Sequence, residues 1–205
     1  MSAYHRGREI RARSGVTGAE TAAIILREGN VHNVRIEDVP GQLTDHYSPT
    51  EKVLRLSPEV FEGNSVASLG IAAHEVGHAL QDAQRYPLLV VRNAIVPFAN
   101  FGSSAGIILL ILGLVLSLSG LVWIGIAVFS LTVLFQLVNL PVEFDASRRA
   151  KKLLLSTGLI ADDEQREVSR VLNAAALTYV AATLTSVLTL FYYISHLGGL
   201  NRSED

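Results

Sequence analysis

The sequence has no cysteine. That excludes disulfides and thiolate metal ligands, so a metal bound here has to sit on histidine, aspartate or glutamate. An excess of one charge sign is also missing. Lys and Arg number 17 against 19 Asp and Glu, a net charge of −2, which leaves no bulk electrostatic footprint for nucleic acid. The opening residues MSAYHRGREIRARSG are basic but contain no apolar core, so no cleavable signal peptide is expected there. The most telling absence is local: residues 102–140 contain no charged side chain.

What is present is apolar. A length of 205 residues suits one ordinary domain, or a small domain plus membrane segments, and 49% of the residues are hydrophobic. Composition divides the chain into a mixed region 1–93, an uncharged stretch 94–140, a charged stretch 141–173, an apolar stretch 174–197 and a polar tail 198–205. In the first region TGAETAAIILREGN reads as a short helix. Thr17 caps it, Glu20 is its capping-box partner, and Gly29-Asn30 stops it. VHNVRIEDVP alternates Val34 and Ile36 as a half-buried strand would. EKVLRLS reads as a second strand, with Val53 on one face and Leu54 and Leu56 on the other, and GQLTDHYSPT between them reads as turns. Asn64 or Ser65 caps a helix that runs to about Arg85, ahead of Pro87.

A helix needs about 20 apolar residues to cross the hydrocarbon of a bilayer. The 94–140 stretch is long enough for two spans, and SLSG at 117–120 is the natural reversal of a helical hairpin. Residues 174–197 make a third span, with Tyr192, Tyr193 and His196 near its end, where amphipathic rings favour the interface. The alternative, a helix buried in a soluble core, has to hide nearly forty uncharged residues, more than a small core accommodates. Ten Lys and Arg lie in the first region, six lie in 141–173, and none lies at the hairpin tip. A hairpin returns the chain to its starting side, so both charged regions are expected on one face, the cytoplasmic one, of a multi-pass protein of the cell membrane. The bilayer is then a partner and nucleic acid is not. RRAKK at 148–152 accordingly suits lipid headgroups beside a span. His5, His32 and His196 read as surface or interface residues.

The stretch IAAHEVGHALQ at 71–81 carries the chemistry. Residues four apart on a helix project from one face, so His74 and His78 can reach one metal ion. Glu75 is rotated toward the open coordination position, where it can take a proton from a metal-bound water as general base. The competing reading is a core helix whose histidines are merely hydrogen-bonded. Against it stand Gly70 and Gly77, each costing about 1 kcal/mol of helix propensity relative to alanine. Glycines in such a helix make sense where another backbone or a substrate approaches closely.

A catalytic zinc takes three protein ligands and keeps one position open. No histidine follows His78 closely enough to serve. Glu143 stands out, because it directly follows the hairpin in NLPVEFDASRRA and is returned to the level of the first helix. Its bland alternative is an interfacial carboxylate, or a helix N-terminal charge near Pro141. Asp145 and Ser147 are candidates to orient the ligands. His46, in LTDHYSP, is a candidate to reach the carbonyl oxyanion together with Tyr47, or else an exposed turn histidine. Asp45 reads as a turn cap.

HEVGH followed, after a membrane hairpin, by PVEFDASRRA resembles the YugP-like family of membrane zinc metallopeptidases. SGVTGAE, VPGQLTDHYSP, LRLSPEVF, HEVGHALQ and VLNAAALTYVAA resemble that family in the same order, over about Gly15 to Ala182. The family is itself similar to the HtpX-like and CAAX-prenyl-protease gluzincins, whose third ligand is a glutamate in an E-F-x-A-D type motif. The resemblance implies that His74, His78 and Glu143 bind one zinc ion per chain and that Glu75 is the base. It also implies that an extended substrate adds to the strand preceding the active helix. Ser147 stands where the wider motif has aspartate, a departure at the position that usually orients a ligand. Family members usually begin with an additional membrane helix. This chain starts after the place such a helix would occupy, as a truncated or a naturally shorter form would.

The expected fold class is therefore membrane α+β. A small gluzincin-like domain carries the HExxH helix and a short β-sheet, and three transmembrane helices complete the chain. The expected function is zinc-dependent hydrolysis of peptide bonds in a peptide or membrane-protein substrate. The main alternative is a non-hydrolytic membrane protein with a structural zinc site, in which Asp45 or His46 fills the fourth position.

Overall fold

The structure, a computed structural model, describes residues 3–200, with side chains described to residue 195. The side chain of His196 and the part of the expected polar tail from residue 201 onward, Arg202 included, lie outside the described residues. The chain is mostly helical, with one small sheet. Its residues fall into two compact units. One contains the chain up to Tyr86 together with Val142–Leu177, and the other contains Pro87–Pro141 and the chain from Thr178.

The first unit begins with helix α1, Ala3–Glu9, a stretch without sequence periodicity. Helix α2, Gly18–Glu28, follows with the expected caps. Thr17 accepts from the Glu20 backbone, the Glu20 carboxylate accepts from the Thr17 backbone, and Gly29 closes the helix. Asn30 then takes a positive φ of 55°, a conformation asparagine tolerates better than most residues. Strands β1, Arg35–Asp38, β2, His46–Ser48, and β3, Val53–Leu56, form one sheet in the order β1-β3-β2. β1 pairs with β3 in parallel, and β2 pairs with it antiparallel. β2 lies inside the segment that reads as turns in the sequence. Its three residues are too few to show alternation. The central position of β3 explains why Val53, Leu54 and Leu56 are all buried, not only the pair on one face.

After the single-turn helix α3, Pro58–Phe61, helix α4 runs over Val66–Ala83 with Ser65 as its N-cap. It is the axis of the unit's core. Val66, Leu69, Ala72, Ala73, Val76 and Leu80 are buried with Ile25, Leu54, Leu56 and Val60. Each large side chain so buried contributes about 1.5–3 kcal/mol relative to exposure.

Three further helices are long and apolar enough to cross a membrane: α5, Pro87–Val115, α6, Ser119–Ser156, and α7, Gln165–Leu200. The reversal between α5 and α6 falls at residues 116–118, where Ser117 takes a positive φ of 55°. In the second unit Leu110, Val122, Ile126, Phe129 and Val133 pack together, with Leu190 and Tyr193 against them. A Cβ at Gly106 would stand 2.8 Å from the Phe129 nitrogen, so the α5 and α6 backbones touch there. Close backbone contact at small residues is how helices associate where no water drives them together. Large apolar side chains such as Phe98, Phe101, Ile108, Leu184 and Phe191 stay exposed on this unit.

Helix α6 does not stop at Pro141, which lies inside it. Proline removes one backbone hydrogen bond, and the turns on either side carry the helix through. A span needs about 20 residues, and α6 has 38. Its excess supplies Val142–Ser156 to the first unit, and Glu143 sits on that extension, not at the start of a new helix.

Candidate metal centre

Two helices of the first unit build the site. α4 brings His74 and His78 one turn apart, their rings edge to face with centroids 4.9 Å apart. The 142–156 part of α6 brings Glu143. The two backbones meet where a Cβ on Gly77 would lie 2.8 Å from the Ala146 carbonyl oxygen and 3.1 Å from its Cα. Any side chain at residue 77 would push α6, and Glu143 with it, away from the histidines.

Glu143 is 4% exposed, and its Oε2 is buried with no hydrogen-bond partner. That oxygen faces Nε2 of His74 at 3.3 Å and Nε2 of His78 at 3.6 Å. The distances suit ion pairing, and neither contact is a hydrogen bond. They also suit a shared cation. Ligands about 2.0–2.2 Å from a tetrahedral ion stand about 3.3–3.6 Å from one another. One ligand atom from each of His74, His78 and Glu143 lies within 4.8 Å of the others. A buried carboxylate oxygen with no donor, facing two imidazole nitrogens, is a donor set that fits zinc.

The outer nitrogens of both rings have partners. Nδ1 of His74 lies 3.1 Å from the Ser147 hydroxyl, and Nδ1 of His78 lies 3.0 Å from Oε1 of Gln81. Gln81 also donates through Nε2 to the Val142 carbonyl and to Asp145 Oδ2, each at 2.9 Å. Ser147 thus touches His74 directly, whereas Asp145 reaches His78 only through Gln81. Sequence reasoning gave Gln81 no role. Its signal was its place three residues after His78, on the same helix face.

Glu75 follows His74 and is half-buried. Burial raises its carboxyl pKa above the usual range. Glu143 and Asp45 push the same way, and the two histidines oppose them. Among the described residues none hydrogen-bonds its carboxylate. Burial also disfavours a charged His78 ring, but Glu143, Glu75 and Gln81 outweigh it, and the His78 pKa is raised above 6.5.

His46 lies exposed on β2, and its Nδ1 is 2.7 Å from the Thr44 carbonyl, to which it must donate. A neutral His46 then has no N–H left for an oxyanion, and the imidazolium form keeps one at Nε2. Asp45 accepts from the Ser57 backbone and hydroxyl, and so holds the turn into α3. Tyr47 donates to Asp82 at 2.6 Å, tying β2 to α4. β2 is an edge strand of the sheet.

The family model described as "Putative neutral zinc metallopeptidase" matches residues 1–198. The "Putative membrane protease YugP" of Bacillus subtilis (strain 168) is 46% identical over 193 residues, which cover 94% of this chain and 86% of that protein. No solved structure matches the chain.

Proposed function

The chain belongs to the YugP-like family of zinc metallopeptidases, and from that premise we propose that it is a multi-pass membrane peptidase that hydrolyses peptide bonds with one zinc ion and Glu75 as general base. The observation that carries this reading is the buried, hydrogen-bond-free Oε2 of Glu143 set against Nε2 of His74 and of His78. Zinc, when bound, supplies a Lewis acid that polarises a carbonyl and brings the pKa of a water to about 7.

The chain's own residues do the rest. His74, His78 and Glu143 hold the ion. Glu75 takes a proton from the attacking water and delivers it to the departing amine. Burial and the neighbouring Glu143 push the Glu75 carboxyl pKa up, which favours its taking up a proton. The outer edge of β2 offers backbone groups to an extended peptide, and Asp45 at its start is near enough to bear on the charge of Glu75. His46 is a candidate donor, through Nε2, to the carbonyl oxygen of such a peptide. The charged first unit lies on the cytoplasmic face, by the distribution of Lys and Arg.

A structural zinc site is less well supported. Among the described residues the metal-binding group has three members, and Asp45, a suspect for the fourth position, has both oxygens engaged by Ser57. The test is cleavage of a peptide library by the full chain in detergent. Cleavage that a chelator abolishes and zinc restores supports the reading, and a zinc-loaded protein that cleaves nothing contradicts it.

A further inference from the structure

We propose that Gln81, held by Asp145, is the positioning residue that decides which nitrogen of His78 faces the metal. This rests on the zinc reading above and goes beyond it.

Gln81 is fully buried. Both partners of its Nε2, the Val142 carbonyl and the Asp145 carboxylate, can only accept. The amide therefore has one orientation. Turned over, it would set its own carbonyl against two acceptor oxygens. With the orientation fixed, Oε1 is the atom facing His78 Nδ1 at 3.0 Å. An amide oxygen accepts and never donates, so Nδ1 must carry the proton. The neutral ring then keeps its lone pair on Nε2, the nitrogen turned toward Glu143.

Asp145 is itself held in place. Arg149 donates to it through Nε at 2.5 Å, and Arg148 donates to its other oxygen. Arg149 also donates to Gln84 at 2.6 Å and lies over the Tyr86 ring. A line of groups thus runs Arg149, Asp145, Gln81, His78, with its middle buried. His74 is held differently. Its Nδ1 meets the Ser147 hydroxyl, which can donate or accept, so that contact fixes no proton. The two histidines look equivalent in the sequence motif, but one is locked and the other is adjustable. The carboxylate that the wider motif would place at residue 147, beside His74, is here delivered to His78 through an amide.

The full chain in detergent, stripped of metal and titrated with Zn2+ against a competing chelator, tests this. Gln81→Met keeps the side-chain volume and removes its polar atoms, and zinc affinity is expected to fall roughly 10-fold or more, as when a ligating histidine loses its outer partner. Wild-type affinity in Gln81→Met would overturn the proposal. A second measurement needs no variant. Nitrogen NMR of zinc-loaded protein labelled at histidine is expected to show His78 protonated at Nδ1, and a proton at its Nε2 would overturn the proposal. Wild-type protein that takes up no zinc would instead remove the metal reading on which this one rests.

Discussion

Oε2 of Glu143 stands 3.3 Å from Nε2 of His74, buried and without a hydrogen bond. An uncompensated buried carboxylate oxygen is costly, and a shared cation removes the cost. Glu143→Ala is therefore expected to lower zinc occupancy sharply, read by elemental analysis after dialysis. Glu143→Gln keeps the shape but not the charge and is expected to bind more weakly than wild type. Unchanged occupancy in both variants would take Glu143 out of the metal's ligand set.

Gly77 and Gly70 lie two turns apart on α4 and should respond oppositely to alanine. At Gly77 the new methyl meets the Ala146 backbone at 2.8 Å, which cannot move without moving α6. Gly77→Ala is expected to destabilise by about 1–3 kcal/mol through overpacking and to weaken zinc binding. At Gly70 the nearest atom is a side-chain methyl of Val168 at 3.3 Å, which can give way. Gly70→Ala gains about 1 kcal/mol of helix propensity and is expected to be neutral or stabilising. Thermal unfolding with and without zinc measures both.

Zinc binding should weaken in acid. The His78 pKa is raised above 6.5 in the metal-free protein, so below that raised value the ring is protonated and the ion must displace a proton. Apparent affinity should be flat above the raised value. As pH falls through it, affinity should drop by about tenfold per pH unit for each proton displaced. Chelator competition across that range reads the slope, and a pH-independent affinity would contradict the role of His78.

Ser147→Ala removes the partner of His74 Nδ1 and is expected to cost up to about 10-fold in zinc affinity. Ser147→Asp places a carboxylate beside that nitrogen and is expected to bind zinc at least as tightly as wild type, provided the buried charge is held by the His74 proton. The same competition titration compares the two.

Elements with strong local signals were legible in the sequence. Thr17 and Glu20 cap α2 as a reciprocal pair, Ser65 caps α4, and the uncharged stretch turns at residues 116–118, overlapping the first half of SLSG. The seven residues of α1, the four of α3 and the three of β2 are too short to show a period, and tertiary contacts decide them. Charge composition put a boundary at 140/141 and allowed a helix N-terminus near Pro141, yet α6 runs through it. That His74, His78 and Glu143 come together was legible because the two histidines lie one turn apart on a helix and few carboxylates follow the hairpin. Gln81 was not, because a lone glutamine at helix spacing gives no sign of being fully buried against another helix. The role of His46 depends on a bound peptide, which neither the sequence nor its exposed place on β2 supplies.

The most direct measurement is Glu75→Gln in the full chain, assayed together for zinc content and for cleavage of a peptide library. The substitution keeps the side chain's size and removes the base. Zinc is expected to remain at about one per chain, while cleavage falls by roughly 10²–10⁴-fold. Cleavage near the wild-type rate, with zinc still bound, would show that Glu75 is not the base and would contradict the mechanism at its centre.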